Sequence, residues 1–175
     1  MADAQPIFSK PTRRIIALAL VIFALDQFTK WLVLHTIYEG DEITVIPGFF
    51  NLAHRANTGA AWSLFTGNNT VLAVVALVAL VALFLARNHF HARTLTGQLA
   101  LGLVFGGIIG NLTDRLRDRY VTDFLYFHLD RRGGSEIGFP AFNIADSAIC
   151  VGVTLIFLVS LKNEKAPAKP VQPPA

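Results

Sequence analysis

Asp123 and Asp146 are carboxylates set among apolar residues, the first in "VTDF" and the second in "FNIAD". Two carboxylates brought together from separate elements can hydrolyse a peptide bond. One deprotonates a water while the other, protonated, donates to the carbonyl oxygen. Proximity keeps them in opposite states, because adjacent carboxylates do not both ionise readily. Asp123 alone reads as a solvated loop aspartate. Asp146 alone reads as a helix-start carboxylate favoured by the dipole.

Other polar side chains recur in short blocks. Asp26 and Lys30 stand four apart, an acid before a base on one helical face. A self-neutralising pair that anchors its helix and a direct substrate contact both fit that spacing. "NTG" brings Asn57 and Gly59, which a simple helix cap would also explain. "GNLTDR" brings Asn111, Asp114 and Arg115 at i, i+3 and i+4. Asn143 precedes Asp146 by about one helical turn.

The elements that must position these residues are membrane spans. Of 175 residues, 53% are hydrophobic and 15% charged, against about 25% charged in soluble domains. Four apolar stretches stand out, at about 15–34, 71–86, 97–112 and 142–161. In lipid they must be helices, because isolated strands leave backbone groups unsatisfied. The first is read as a retained span rather than a signal peptide, since Asp26 and Lys30 break it and no small-x-small site follows. Gly102, Gly106 and Gly110 share one face of the third stretch, where another helix can approach closely.

The net charge of +3 comes with basic residues that flank the spans, so it does not call for nucleic acid. Lys10, Arg13, Arg14, Arg87, Arg93, Lys162, Lys165 and Lys169 share one side if there are four spans. This places both termini in the cytoplasm. Two longer segments then lie outside. The first contains "EITVIPGFFNL", two short strands around a Pro47-Gly48 turn. The second contains "RYVTDFLYFHL", read as extended or interfacial, with Tyr120, Phe124, Tyr126 and Phe127 at headgroup level.

The expected architecture is an all-α polytopic membrane protein. Four transmembrane helices carry a small extracytoplasmic β-sheet, within about 38–57, and a second extracytoplasmic loop. Residues 1–162 form one domain, and 163–175, with its Pro-rich "APAKPVQPPA", a disordered cytoplasmic tail. Cys150 is the single cysteine, and the histidines show no metal-ligand spacing, so no metal and no cofactor is expected. With this topology the polar blocks gather toward the outer side of the membrane, a site between helices.

Five blocks occur in order: Asp26-Gln27-x-x-Lys30, Asn57-x-Gly59, Gly110-Asn111-x-x-Asp114-Arg115, Val121-x-Asp123-Phe124 and Phe142-Asn143-x-Ala145-Asp146. Together they resemble the lipoprotein signal peptidases, also called signal peptidase II, from the first span to the last. The resemblance implies a bacterial inner-membrane aspartic endopeptidase with its active site near the periplasmic face. Its partners would be membrane lipid and diacylglyceryl-modified prolipoproteins, cut just before the modified cysteine. It implies catalytic roles for Asp123 and Asp146. Asn57, Asn111, Arg115 and Asn143 would line the site, with Gly59 in the same block as Asn57. Asp26 and Lys30 would be structural or supporting, and Asp114 would support Arg115 or the helix end. The outer segment 43–52 would be a cradle on the membrane surface. One departure is Trp62, where Phe is common.

Two rival readings remain. A small four-helix proton-coupled transporter would work through Asp26, but would need little loop. A scaffold that only binds lipoproteins or lipid would tolerate loss of either aspartate.

Overall fold

The computed structural model describes residues 10–59, 67–90, 92, 94–131 and 136–164, without the side chains of 162–164. Trp62 and the expected tail lie outside the described residues. Four helices are each long and apolar enough to cross a membrane: α1 (Lys10–Thr36), α2 (Asn69–Ala86), α3 (Leu95–Arg117) and α4 (Ile144–Glu164). They alternate in direction. At 1.5 Å per residue, the 18 residues of α2 rise about 27 Å. α3 extends five residues past the expected end of its span, so Asp114 and Arg115 are helical.

α3 is the central helix and packs against the other three. Its buried positions include Gly102, Gly106 and Gly110, which lie against α1 as the spacing predicts. A Cβ on Gly106 would meet Ile22 Cβ at 2.7 Å and the Ala19 carbonyl at 2.8 Å. One on Gly110 would fall 2.5 Å from Asp26 Oδ2. Only glycine lets the two backbones approach so closely at the depth of Asp26. α2 differs, burying only Ala73. Its exposed Val78 and Leu85, like Leu20 on α1 and Phe157 on α4, form the apolar outer surface that a bilayer covers.

At the end of the bundle where α1 and α3 finish sits an antiparallel sheet in the order β1-β2-β3-β4. Its strands are β1 (Glu42–Ile46), β2 (Phe50–Asn57), β3 (Val121–Asp130) and β4 (Glu136–Gly138). The expected hairpin is there: β1 and β2 turn at Gly48, φ +73°, and pair Ile43 with Leu52. The second outer segment is not a loop but supplies two strands. Phe124 and Tyr126 are buried there. Phe124 packs with Val33 and Ile37 at the end of α1. A bulge in β2 between Leu52 and Arg55 brings Arg55 opposite Asp123 and Asn57 opposite Val121.

Candidate active site

The site has a closed lower layer and an open upper one. In the lower layer Lys30 is 1% exposed, with its ammonium hydrogen-bonded to Asp26 and Asn111 and ion-paired with Asp114. Asp26 Oδ2 lies at 2.8 Å, Asp114 Oδ2 at 2.6 Å and Asn111 Oδ1 at 2.9 Å. The other oxygen of Asp26 accepts from Ala145 N at 2.9 Å, one of the unpaired donors at the start of α4. Gln27 Nε2 donates to Asp114 Oδ1 at 2.8 Å. The i, i+4 pair on α1 thus exists, and it anchors α3 and α4 as well. Asp114, expected to support Arg115 or the helix end, turns inward and pairs with the buried Lys30.

The upper layer holds Asp123 and Asp146. Asp123 is not on a loop: it sits in β3, 2% exposed. The segment before α4 is tied to the same strand, with Leu125 N donating to the Phe142 carbonyl and Phe142 N to the Leu125 carbonyl, at 2.8 and 3.1 Å. α4 then starts one residue later on a reciprocal cap. Asp146 N donates to Asn143 Oδ1 at 2.9 Å, and Asn143 N to Asp146 Oδ2 at 3.3 Å. The helix start thereby delivers Asp146 beside Asp123.

Neutral amides hold both carboxylates. Asn57 Nδ2 donates to Asp123 Oδ2 and Asn143 Nδ2 to Asp123 Oδ1, each at 2.7 Å. Asn111 Nδ2 donates to Asp146 Oδ1 at 2.7 Å, while its carbonyl faces Lys30. Asn57 Oδ1 accepts from Gly59 N at 2.9 Å, closing an Asx turn at the end of β2. Burial, followed by the charge of Asp146, pushes the Asp123 carboxyl up to about 7.

Asp123 and Asp146 face one cavity of about 870 Å³, within the range of sites for sizeable ligands. Asn57, Gly59, Asn111 and Arg115 also line it; Asp26, Lys30, Asp114 and Asn143 lie beneath. Arg115 donates to the Gly59 carbonyl at 3.1 Å and to the Asn111 carbonyl at 3.4 Å. Its Nε has no partner among the described residues. All ten candidate residues therefore fall in one connected region, and none comes from α2.

A family model described as signal peptidase (SPase) II matches residues 18–162. The chain belongs to the signal peptidase II family. It is 38% identical to a lipoprotein signal peptidase of Bacillus pumilus over 149 residues, covering 85% of this chain and 92% of that one. Similarity to the Staphylococcus aureus lipoprotein signal peptidase is 37% over 155 residues, 87% and 89% of the two chains. A solved bacterial membrane enzyme superposes with a TM-score of 0.74 at 34% identity, covering 90% of this chain and 94% of that one. The chain is accordingly a multi-pass membrane peptidase.

This signal peptidase II family member also carries site features that the sequence reading missed. Arg55 lies 4.0 Å over the Tyr126 ring and pairs with Glu42 at 2.5 Å, walling the cavity on the sheet side. Gln27 stands in the first block, and that position was its only signal. Phe139, Phe142, Ile149 and Cys150 give the cavity an apolar wall.

Proposed function

We propose that this chain is an aspartic endopeptidase that removes the signal peptide from prolipoproteins, cutting immediately before a diacylglyceryl-modified cysteine. The observation that carries this reading is the pair Asp123 and Asp146, held by amides alone and facing one cavity. Asp146 takes a proton from a water, which attacks the scissile carbonyl. Asp123, the carboxyl raised to about 7, donates its proton to the carbonyl oxygen. Collapse of the tetrahedral intermediate breaks the C–N bond: the proton on Asp146 passes to the leaving amine, and a hydroxyl of the intermediate returns its proton to Asp123. The free Nε of Arg115 is available to a substrate carbonyl.

The apolar wall from Phe139 to Cys150 suits an acyl chain entering from the bilayer, each buried methylene contributing about 0.8 kcal/mol. The sheet and both aspartates lie on the extracytoplasmic side in this reading, with both termini cytoplasmic, as Lys10, Arg13 and Arg14 in the first turns of α1 favour. Transport through Asp26 would need an exchangeable proton there, whereas Asp26 is fully buried and bonded through both oxygens.

The test is cleavage by the detergent-purified protein of two precursors at matched concentration. The diacylglyceryl-modified precursor is cut before its cysteine, and the unmodified one is cut very poorly. Equal rates would remove lipid recognition from the proposal, and no cleavage of either would remove the peptidase itself.

A further inference from the structure

The far end of the sheet carries a second group of side chains. In β3, His128 and Asp130 are two residues apart and share a face. β4 places Glu136 directly opposite Asp130 and Gly138 opposite His128. Two carboxylates facing each other across a ladder repel and destabilise the pairing. Here they do so beside a histidine that is 6% exposed at its side chain. Both ring nitrogens of that histidine lack a hydrogen-bond partner among the described residues. A buried imidazole without partners costs stability unless something else binds it.

The spacing shows what would bind. His128 Nδ1 lies 3.3 Å from Asp130 Oδ1 and 3.6 Å from Glu136 Oε2, without hydrogen-bond geometry to either. One donor atom from each residue falls within 4.8 Å of the others. A tetrahedral ion with ligands at about 2.0 to 2.2 Å sets those ligands about 3.3 to 3.6 Å apart. The donors are also held in place. Tyr126 donates to the other oxygen of Glu136, leaving Oε2 toward His128. His128 N donates to the Phe49 carbonyl at 2.9 Å, which fixes the backbone that carries the ring. Such outer partners orient metal ligands.

We propose that His128, Asp130 and Glu136 form a binding site for a divalent transition-metal ion of the zinc class. One imidazole and two carboxylates match its preference for mixed nitrogen and oxygen donors, and a water completes four-coordination. The half-exposed carboxylates give the ion a path from solvent. Bound there, it neutralises the acidic pair and clamps the three-residue β4 onto β3. Along the strand His128 is five residues from Asp123, about 17 Å at strand spacing, so the ion is not a member of the aspartate pair.

Untagged full-length protein in detergent is titrated with Zn²⁺ by calorimetry, and bound metal is counted after desalting. One ion per chain is expected for the wild type. His128→Gln loses it, while Asp130→Asn and Glu136→Gln each weaken binding about 10-fold or more. Asp130 is mostly exposed at its side chain, and Glu136→Gln keeps an oxygen for Tyr126, so these two report on metal and not on folding. Absence of uptake by the wild type overturns the site. So does uptake that survives His128→Gln, or unchanged affinity in both carboxylate variants.

Discussion

Two groups of aspartates, a few residues apart in space, are treated in opposite ways. Asp26 and Asp114 are locked against the Lys30 ammonium in a closed layer, with no face on the cavity. Among the described residues, Asp123 and Asp146 receive hydrogen bonds only from amides, and both face the cavity. A cation beside a carboxylate holds it by an ion pair. Neutral donors orient it while leaving its proton free to come and go. Asn111 stands between the two, with its carbonyl to the ammonium and its amide to Asp146. The lower layer is therefore tied to the upper one by a hydrogen-bonded amide rather than by a direct ion pair.

The largest effect should come from the upper layer. Asp123→Asn and Asp146→Asn should each lower cleavage of the lipidated precursor by at least the 10² to 10⁴-fold typical of general acid–base groups. The double variant should be scarcely worse than either single one, because the two act as a unit. A well-folded single variant with substantial activity would remove that residue from the pair.

In the lower layer the loss should appear as stability instead. Lys30→Met leaves Asp26 and Asp114 buried and unpaired, a change worth about 3 to 5 kcal/mol. Thermal unfolding in detergent should show it, and Asp26→Asn should also lower yield or melting temperature more than turnover. A stable but inactive Asp26→Asn would erase the contrast between the layers.

The smallest effect tests the amides. Asp123, raised to about 7, must hold its proton to act as the acid. The cleavage rate should then fall as pH rises through about 7. The hydrogen bond from Asn57 favours the charged carboxylate, so its removal in Asn57→Ala raises the Asp123 pKa further. The alkaline limb should move to higher pH in that variant, and a limb that stays put would take the proton off Asp123.

Local signals in the sequence were readable where neighbours in sequence are also neighbours in space. The Asp26–Lys30 pair follows from helical periodicity, the α1–α3 contact from glycines four apart, and the β1–β2 turn from Pro47-Gly48. The segment holding Asp123 was read as extended or interfacial, but its pairing with β2 was not readable, because strict alternation is lost where β3 is covered on both faces. The partner of Asp114 was hidden for another reason: Lys30 lies on α1, far away in sequence. The ten residues of the blocks fall together in space, but their division into two layers appears only when α3 is placed between α1 and α4.

Main-chain hydrogen bonds at Phe142 join β3 to the start of α4. Asp123 and Asp146 are thereby carried on a single fitting, laced by main chain at Phe142 and by the Asn143 side chain. A movement of the α4 start therefore draws the strand that holds Asp123 along with it. In the proposed reaction, a bilayer that thins or thickens around this protein would change how substrate arrives before it changed the spacing of the two carboxylates.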